Sequence, residues 1–194
     1  VQTCALPISA YLARNRISKD SLGVLLSKAA ETVRKSEIGK RTREFIRNDQ
    51  LQPSDKFKPI KCFDVNMNKF DWNSVKGKKF TIIVGGLWCM THGMGNSLPK
   101  QYFESIKENY GDSHQLILYV YCNDSEEMKA EIKEFGLEDY TVISDFKGRA
   151  TPFTSIYNCQ ATPTCIYIDA KGIIVNIMKG LDPNYLENEF ILKQ

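Results

Sequence analysis

Two short apolar runs constrain this chain more than any other feature of it. Phe80-Thr81-Ile82-Ile83-Val84 and Leu116-Ile117-Leu118-Tyr119-Val120-Tyr121 are rich in β-branched and aromatic residues and show no alternation of apolar and polar positions. Such a run reads as a strand buried on both faces, as in a parallel sheet covered by helices. Parallel neighbours need a long crossover, and Leu98 to Tyr110 reads as a helix between the two runs. The rest of the chain keeps the alternation. Ile60 to Val65 reads as a strand, with Phe70 and Trp72 after an Asn-rich turn; Ser125 is expected to cap an acidic helix through Phe135, and Thr141-Val142-Ile143 reads as a further strand. Thr164 to Asp169, a turn at Asp169-Ala170-Lys171-Gly172, and Ile173 to Met178 predict a β-hairpin. Asp182-Pro183 then opens a last helix, with proline where its missing N–H costs nothing. The order predicts an α/β fold with a mixed central sheet flanked by helices.

An N-terminal helical extension precedes this pattern. Leu22, Leu25, Leu26, Ala29, Ala30 and Val33 recur at helical spacing, with Ser18 or Ser21 as a cap. A second helical piece starts near Ser36, carries Ile38, Phe45 and Ile46, and ends before Asn48-Asp49. Residues 10–50 hold ten Lys/Arg and five Asp/Glu, an excess that a solvated helix face explains. Gln52-Pro53-Ser54-Asp55 marks the linker. The opening Val1-Gln2-Thr3-Cys4-Ala5-Leu6-Pro7-Ile8-Ser9 has no Met and no charged n-region, and Pro7 interrupts its apolar run. It reads as a translated sequencing-library adapter and is set aside from fold reasoning. The expected organisation is therefore an artefact at 1–9, a helical arm at 10–52 left from a truncated N-terminal region, and one domain at 56–194.

Length and composition bound the function. At 194 residues there is room for one ordinary domain and a short extension. With 42% hydrophobic and 25% charged residues the chain is neither disordered nor a small disulfide scaffold. No apolar run approaches the roughly 20 residues of a spanning helix. A net charge of +3, with no basic patch interleaved with aromatics, gives no ground for nucleic acid as a partner. Without Cys4, five cysteines remain (Cys62, Cys89, Cys122, Cys159 and Cys165), an odd number that leaves at least one thiol unpaired within the chain.

Two features carry chemistry. Trp88-Cys89-Met90-Thr91-His92 follows the first buried run and precedes a helix. A cysteine at a helix N-terminus meets unpaired N–H groups and the positive end of the dipole, which favour the thiolate. The second is Ala161-Thr162-Pro163-Thr164, ahead of a strand; proline cannot donate to a ladder, and a tight cis turn is one way to accommodate it there. His114, in a polar turn, is expected to face solvent, and two histidines so separated make a zinc site improbable on ligand count. Cys62, Cys122 and Cys159 read as small buried hydrophobes.

On these residues the chain from about 56 to its end resembles the thioredoxin-like superfamily, specifically the TlpA/ResA-type thiol-disulfide oxidoreductases found outside the cytoplasm in bacteria. The resemblance rests on Ile60 to Trp72, Lys76-Gly77-Lys78 before the central strand, Trp88-Cys89 after it, Thr162-Pro163-Thr164 at the cis-proline position, and Asp169-Ala170-Lys171-Gly172 in the terminal hairpin. The helical arm is similar to that of Bacteroidetes-type members. Such proteins carry Trp-Cys-x-x-Cys, whereas the fourth position here is His92; the proline eight residues after the first cysteine is replaced by Ser97, with Pro99 two residues on, and Gly93 and Gly95 lie between.

The resemblance implies action on protein disulfides through Cys89, with an external thiol as reductant, since a dithiol enzyme releases its product with the second cysteine. It implies no metal and no cofactor, a substrate groove formed by Trp88, Thr162 and Pro163, and a periplasmic or periplasm-facing location. His92 has two readings: an imidazole that lowers the Cys89 pKa or acts as its base, or a residue that fills the place of a lost cysteine. Trp88 and Tyr157 read as packing around the site rather than as catalytic groups. Cys165 lies two residues past Pro163, a strand advance of roughly 6.6 Å, against a Cα limit of about 7 Å for a disulfide. Two further functions remain: a non-catalytic peptide-binding module, and a peroxidase, for which Val84-Gly85-Gly86-Leu87 lacks the Pro and Thr that the related group places upstream of its cysteine.

Overall fold

The structure is a computed structural model that describes residues 5–85 and 98–192. It divides into two compact units, one of Val1–Gln50 with Arg149–Asn158, the other of Leu51–Gly148 with Cys159–Gln194.

The first unit is helical. It contains α1 (Ala5–Leu12), α2 (Lys19–Lys28), α3 (Glu31–Lys35) and α4 (Glu37–Arg47). Ser18 caps α2 by accepting from the Ser21 N–H, and Ser36 caps α4 by accepting from Gly39. The region expected as two helical pieces forms three helices, because Ala29 and Ala30 are extended and interrupt the first. The Arg34 guanidinium donates to the Ser27 and Ala29 carbonyls there, satisfying acceptors that a continuous helix would have used. Ala10, Leu22 and Phe45 form the small core. Arg14 is buried beside them, its guanidinium 4.2 Å from the centre of the Tyr11 ring, and it donates to the Tyr11 carbonyl. The Arg149–Asn158 segment contributes α7 (Pro152–Ile156), which packs against α4; Thr151 caps it and proline takes its first position. Tyr157 is fully buried, 4.6 Å ring to ring from Phe153.

The second unit is a five-stranded mixed sheet flanked by helices. Its strands are β1 (Lys79–Val84), β2 (His114–Tyr119), β3 (Thr141–Ile143), β4 (Thr164–Ile168) and β5 (Ile174–Lys179), in the order β3-β2-β1-β4-β5. β1 runs parallel to β2, and β2 to β3; β4 is antiparallel to β1 and to β5. The unbroken apolar runs become the central strands as expected: Phe80 through Val84 are all buried. The crossovers are α5 (Leu98–Tyr110) and α6 (Ser125–Phe135), and α8 (Tyr185–Ile191), which is π-helical, closes the chain. One sheet face carries Ile83, Leu118, Cys165 and Tyr167, packed with Phe103 and Ile106 of α5, Met128 and Ile132 of α6, and Leu186 and Phe190 of α8.

Three local expectations are corrected. Asp124, not Ser125, caps α6 by accepting from the Glu127 N–H. Ile60 to Val65 is not a strand; Phe63 makes isolated bridges to Lys69 and Ser144. Asp64 causes this, since its carboxylate accepts from the Asn66 and Asn68 N–H groups and folds the chain into a tight turn. His114 does not face solvent: it is the first residue of β2 and only 2% exposed. Asp182 does open the last helix, accepting from the N–H groups of Asn184 and Tyr185.

Candidate functional site

The parallel strands β1 and β2 end side by side, Val84 opposite Tyr119, while β4 begins at the same level with Thr164 opposite Val84. The ladder runs one residue past β1, because the Gly85 N–H donates to the Tyr119 carbonyl (3.1 Å). Immediately across from Gly85 is the bend that feeds β4. The Thr162–Pro163 bond is cis. Proline at this mouth sacrifices no ladder bond, because the residue precedes the strand.

The backbone of Gly85 comes up against the Thr162 side chain and the Pro163 backbone. A Cβ on Gly85 would stand 3.3 Å from the Thr162 Cβ and 3.4 Å from the Pro163 Cα. Gly85 is thus a close-contact glycine, and its position directly after a buried strand is the sequence signal for it. The bend is fixed from the other side as well. The Pro163 carbonyl accepts from the Gly180 N–H (2.8 Å), at a glycine with φ of 86°. The Thr164 hydroxyl donates to the Ala161 carbonyl (2.7 Å), and the Lys179 ammonium to the Gln160 side chain (2.9 Å). Thr162 and Pro163 are half-buried, so this fixed edge remains accessible. Gln160, Lys179 and Gly180 carried no signal in the sequence, because their roles depend on the hairpin bringing them to the bend.

Of the predicted site residues, Thr162 and Pro163 come together with Gly85. Trp88, Cys89 and His92 lie outside the described residues, as do Gly93, Gly95 and Ser97. Pro99 is the second residue of α5.

Three thiols within the described residues are unsuited to chemistry. Cys62, Cys122 and Cys165 are fully buried. Burial pushes the Cys62 thiol up to about 12, with Asp145 adding to the shift and Lys147 opposing it. Cys122 is also pushed up to about 12, first by burial and then by Glu131, Glu127 and Asp124. Cys165, opposite Ile83 in the sheet, reaches about 12 through burial, partly offset by the Tyr167 hydroxyl. A thiol held so high is protonated at neutral pH and neither attacks nor resolves a disulfide. Cys159 is buried too. Among the described residues no group of three or more His, Cys, Asp or Glu side chains could hold a metal ion, and no helix is long and apolar enough to cross a membrane.

No family model matches this sequence, and no curated protein matches it. Solved structures do match the fold. A thiol-disulfide isomerase from Corynebacterium glutamicum is similar with a TM-score of 0.57 at 19% identity, over 73% of this chain and 98% of that one. The pneumococcal exposed lipoprotein thioredoxin from Streptococcus pneumoniae gives 0.53 at 20% identity, over 66% and 93%. A thiol peroxidase from Chromobacterium violaceum gives 0.55 at 15% identity, over 73% and 87%. These likenesses show that the fold is thioredoxin-like. Because they span an isomerase, a thioredoxin and a peroxidase, the fold by itself does not choose among thiol chemistries.

Proposed function

We propose that this protein is a thiol-disulfide oxidoreductase of the TlpA/ResA type that acts on protein disulfides outside the cytoplasm through one cysteine, Cys89, in a Cys-x-x-His motif. The observation that carries the reading is the close approach of Gly85 to the cis Thr162–Pro163 bend. It makes a half-buried edge at the end of the central strand, and Cys89 follows Gly85 by four residues in the chain, a tether of at most about 14 Å. The high thiol pKa values of Cys62, Cys122 and Cys165 support the same reading by making those three poor competitors of Cys89 as nucleophile.

In the cycle, the Cys89 thiolate attacks one sulfur of a substrate disulfide. The Cys89–substrate disulfide forms as the substrate S–S bond breaks, and the other substrate sulfur leaves as a thiolate. An external thiol then attacks the mixed disulfide at Cys89, releasing the second substrate thiol; a second external thiol regenerates Cys89 and carries away the oxidised reductant as its disulfide. Thr162 and Pro163, with Trp88, dock the extended substrate, and His92, three positions after Cys89 in the sequence, favours the thiolate. Extracytoplasmic action fits the pneumococcal lipoprotein's place among the similar folds. The Bacteroidetes-type arm is a further part of the reading.

Adduct trapping tests it. The protein is mixed with a disulfide-bonded peptide, quenched with acid and analysed by mass, alongside Cys89→Ser. The parent is expected to accumulate a mixed disulfide that only added thiol removes, and the variant none. Equal adduct on the variant contradicts the reading. Absence of adduct on both proteins would favour a peptide-binding module that keeps the groove without the redox cycle.

A further inference from the structure

The end of the sheet opposite the site is closed by a buried imidazole under the last helix. His114 is 2% exposed, and its Nε2 lies 3.2 Å from the Thr81 hydroxyl, itself buried. Nδ1 has no hydrogen-bond partner. The ring meets Phe190 of α8 edge to face at 5.5 Å. Lys79 is the register partner of His114 across the β1–β2 ladder. Its ammonium donates to the Phe190 and Ile191 carbonyls at 2.9 and 3.0 Å, and it lies 5.7 Å from the Phe190 ring centre. One cation therefore holds the end of α8, and one residue of α8 covers the histidine.

We propose that this is an acid-operated latch: a proton on His114 unseats Phe190 and releases α8 from the base of the sheet. Whichever tautomer is present, a proton makes both ring nitrogens donors. The Thr81 oxygen accepts from one of them, and the other has no acceptor. The new charge also arises next to Lys79, under an aromatic ring and away from water, where an unpaired cation is costly. Lifting Phe190 hydrates the imidazolium and separates α8 from the lysine that caps it.

The charged groups around the ring do not rescue it. Lys107, Asp139 and Tyr140 line the same cavity as His114; Tyr110 and Asp112 line a cavity with Lys79 of β1; α8 carries Glu187 and Glu189. Glu187 is engaged by the Tyr110 hydroxyl, and Lys107 by the Asp139 carbonyl. After burial itself, Lys79 is the charge that acts on His114, and together they hold its pKa down at about 3 against an ordinary 6.5. The sign follows from the depressed value. The open form binds the proton more tightly, so the latch is fully closed above about pH 6.5 and loses stability as the pH falls toward 3.

Hydrogen exchange at single-amide resolution, corrected for intrinsic rates, tests the proposal on the whole chain. Between pH 7 and pH 4.5 protection of the α8 amides should fall about tenfold or more while the β1 amides keep theirs. In His114→Gln, which stays neutral, α8 protection should not change with pH. Equal pH dependence in parent and variant overturns the latch, and so does simultaneous loss of protection in α8 and β1, which is global unfolding. Should the variant fail to fold, proton NMR titration of the parent decides alone: a His114 midpoint below 5 supports the proposal, and one near 6.5 overturns it.

Discussion

The two ends of the central sheet are built from the same strands and closed in opposite ways. At the end where β1 gives way to Gly85, closure depends on a missing side chain: a glycine without a Cβ against Thr162 and Pro163, a cis bend, and a carbonyl held by Gly180. At the other end closure is by side chains: Lys79 caps α8, Phe190 covers His114, and Thr81 takes one imidazole nitrogen. The difference teaches where this fold can tolerate function. The contacts between Gly85 and the Thr162–Pro163 bend involve no titratable group. An end sealed by side chains is stable but responds to whatever changes their charge. Acid should therefore loosen the base while the Thr162–Pro163 edge stands.

Substitutions that exchange these properties should break the contrast. The largest effect is expected from Gly85→Val. Its Cβ alone meets Thr162 at 3.3 Å, so a branched side chain must displace the bend, at a cost of about 2–3 kcal/mol. Urea unfolding should show the loss, and adduct formation with a peptide disulfide should fall with it; a variant of parental stability and reactivity would mean that the close approach does not position the site. A smaller effect is expected at the base. Lys79→Met removes two charge-assisted hydrogen bonds to the end of α8, about 1.5 kcal/mol. It also removes the cation beside His114, so the histidine midpoint should rise in an NMR titration, and a lowered or unmoved midpoint would detach Lys79 from the latch.

The contrast also marks what the sequence could disclose. β1, β2, the hairpin and the helices at Leu98–Tyr110 and Ser125–Phe135 were legible because each rests on a local pattern of burial or spacing. Ile60–Val65 has strand composition, but Asp64 spends its carboxylate on a turn, and short-range hydrogen bonding wins over β propensity. His114 misled for a different reason. Its neighbours in sequence are polar, and the residue that buries it, Phe190, lies 76 positions away. Thr162 and Pro163 stood out as an oddity at a strand mouth, whereas Gly85 shows in sequence only as a glycine after a buried run, and its partner across the contact appears only once β1 and β4 are paired. Arg149–Asn158 belongs with the helical unit for the same reason: nothing local announces that α7 packs on α4.

The proposed function requires Cys89 to be more reactive than the buried thiols Cys62, Cys122 and Cys165. Alkylation of the native protein by iodoacetamide across pH, mapped by mass on each cysteine peptide, measures that directly. Cys89 should react with a midpoint below the ordinary 8.5 or so, while Cys62, Cys122 and Cys165, held at about 12 by burial, stay unmodified through pH 9. Labelling of any of those three at the rate of Cys89, or a Cys89 midpoint at or above 8.5, would contradict it.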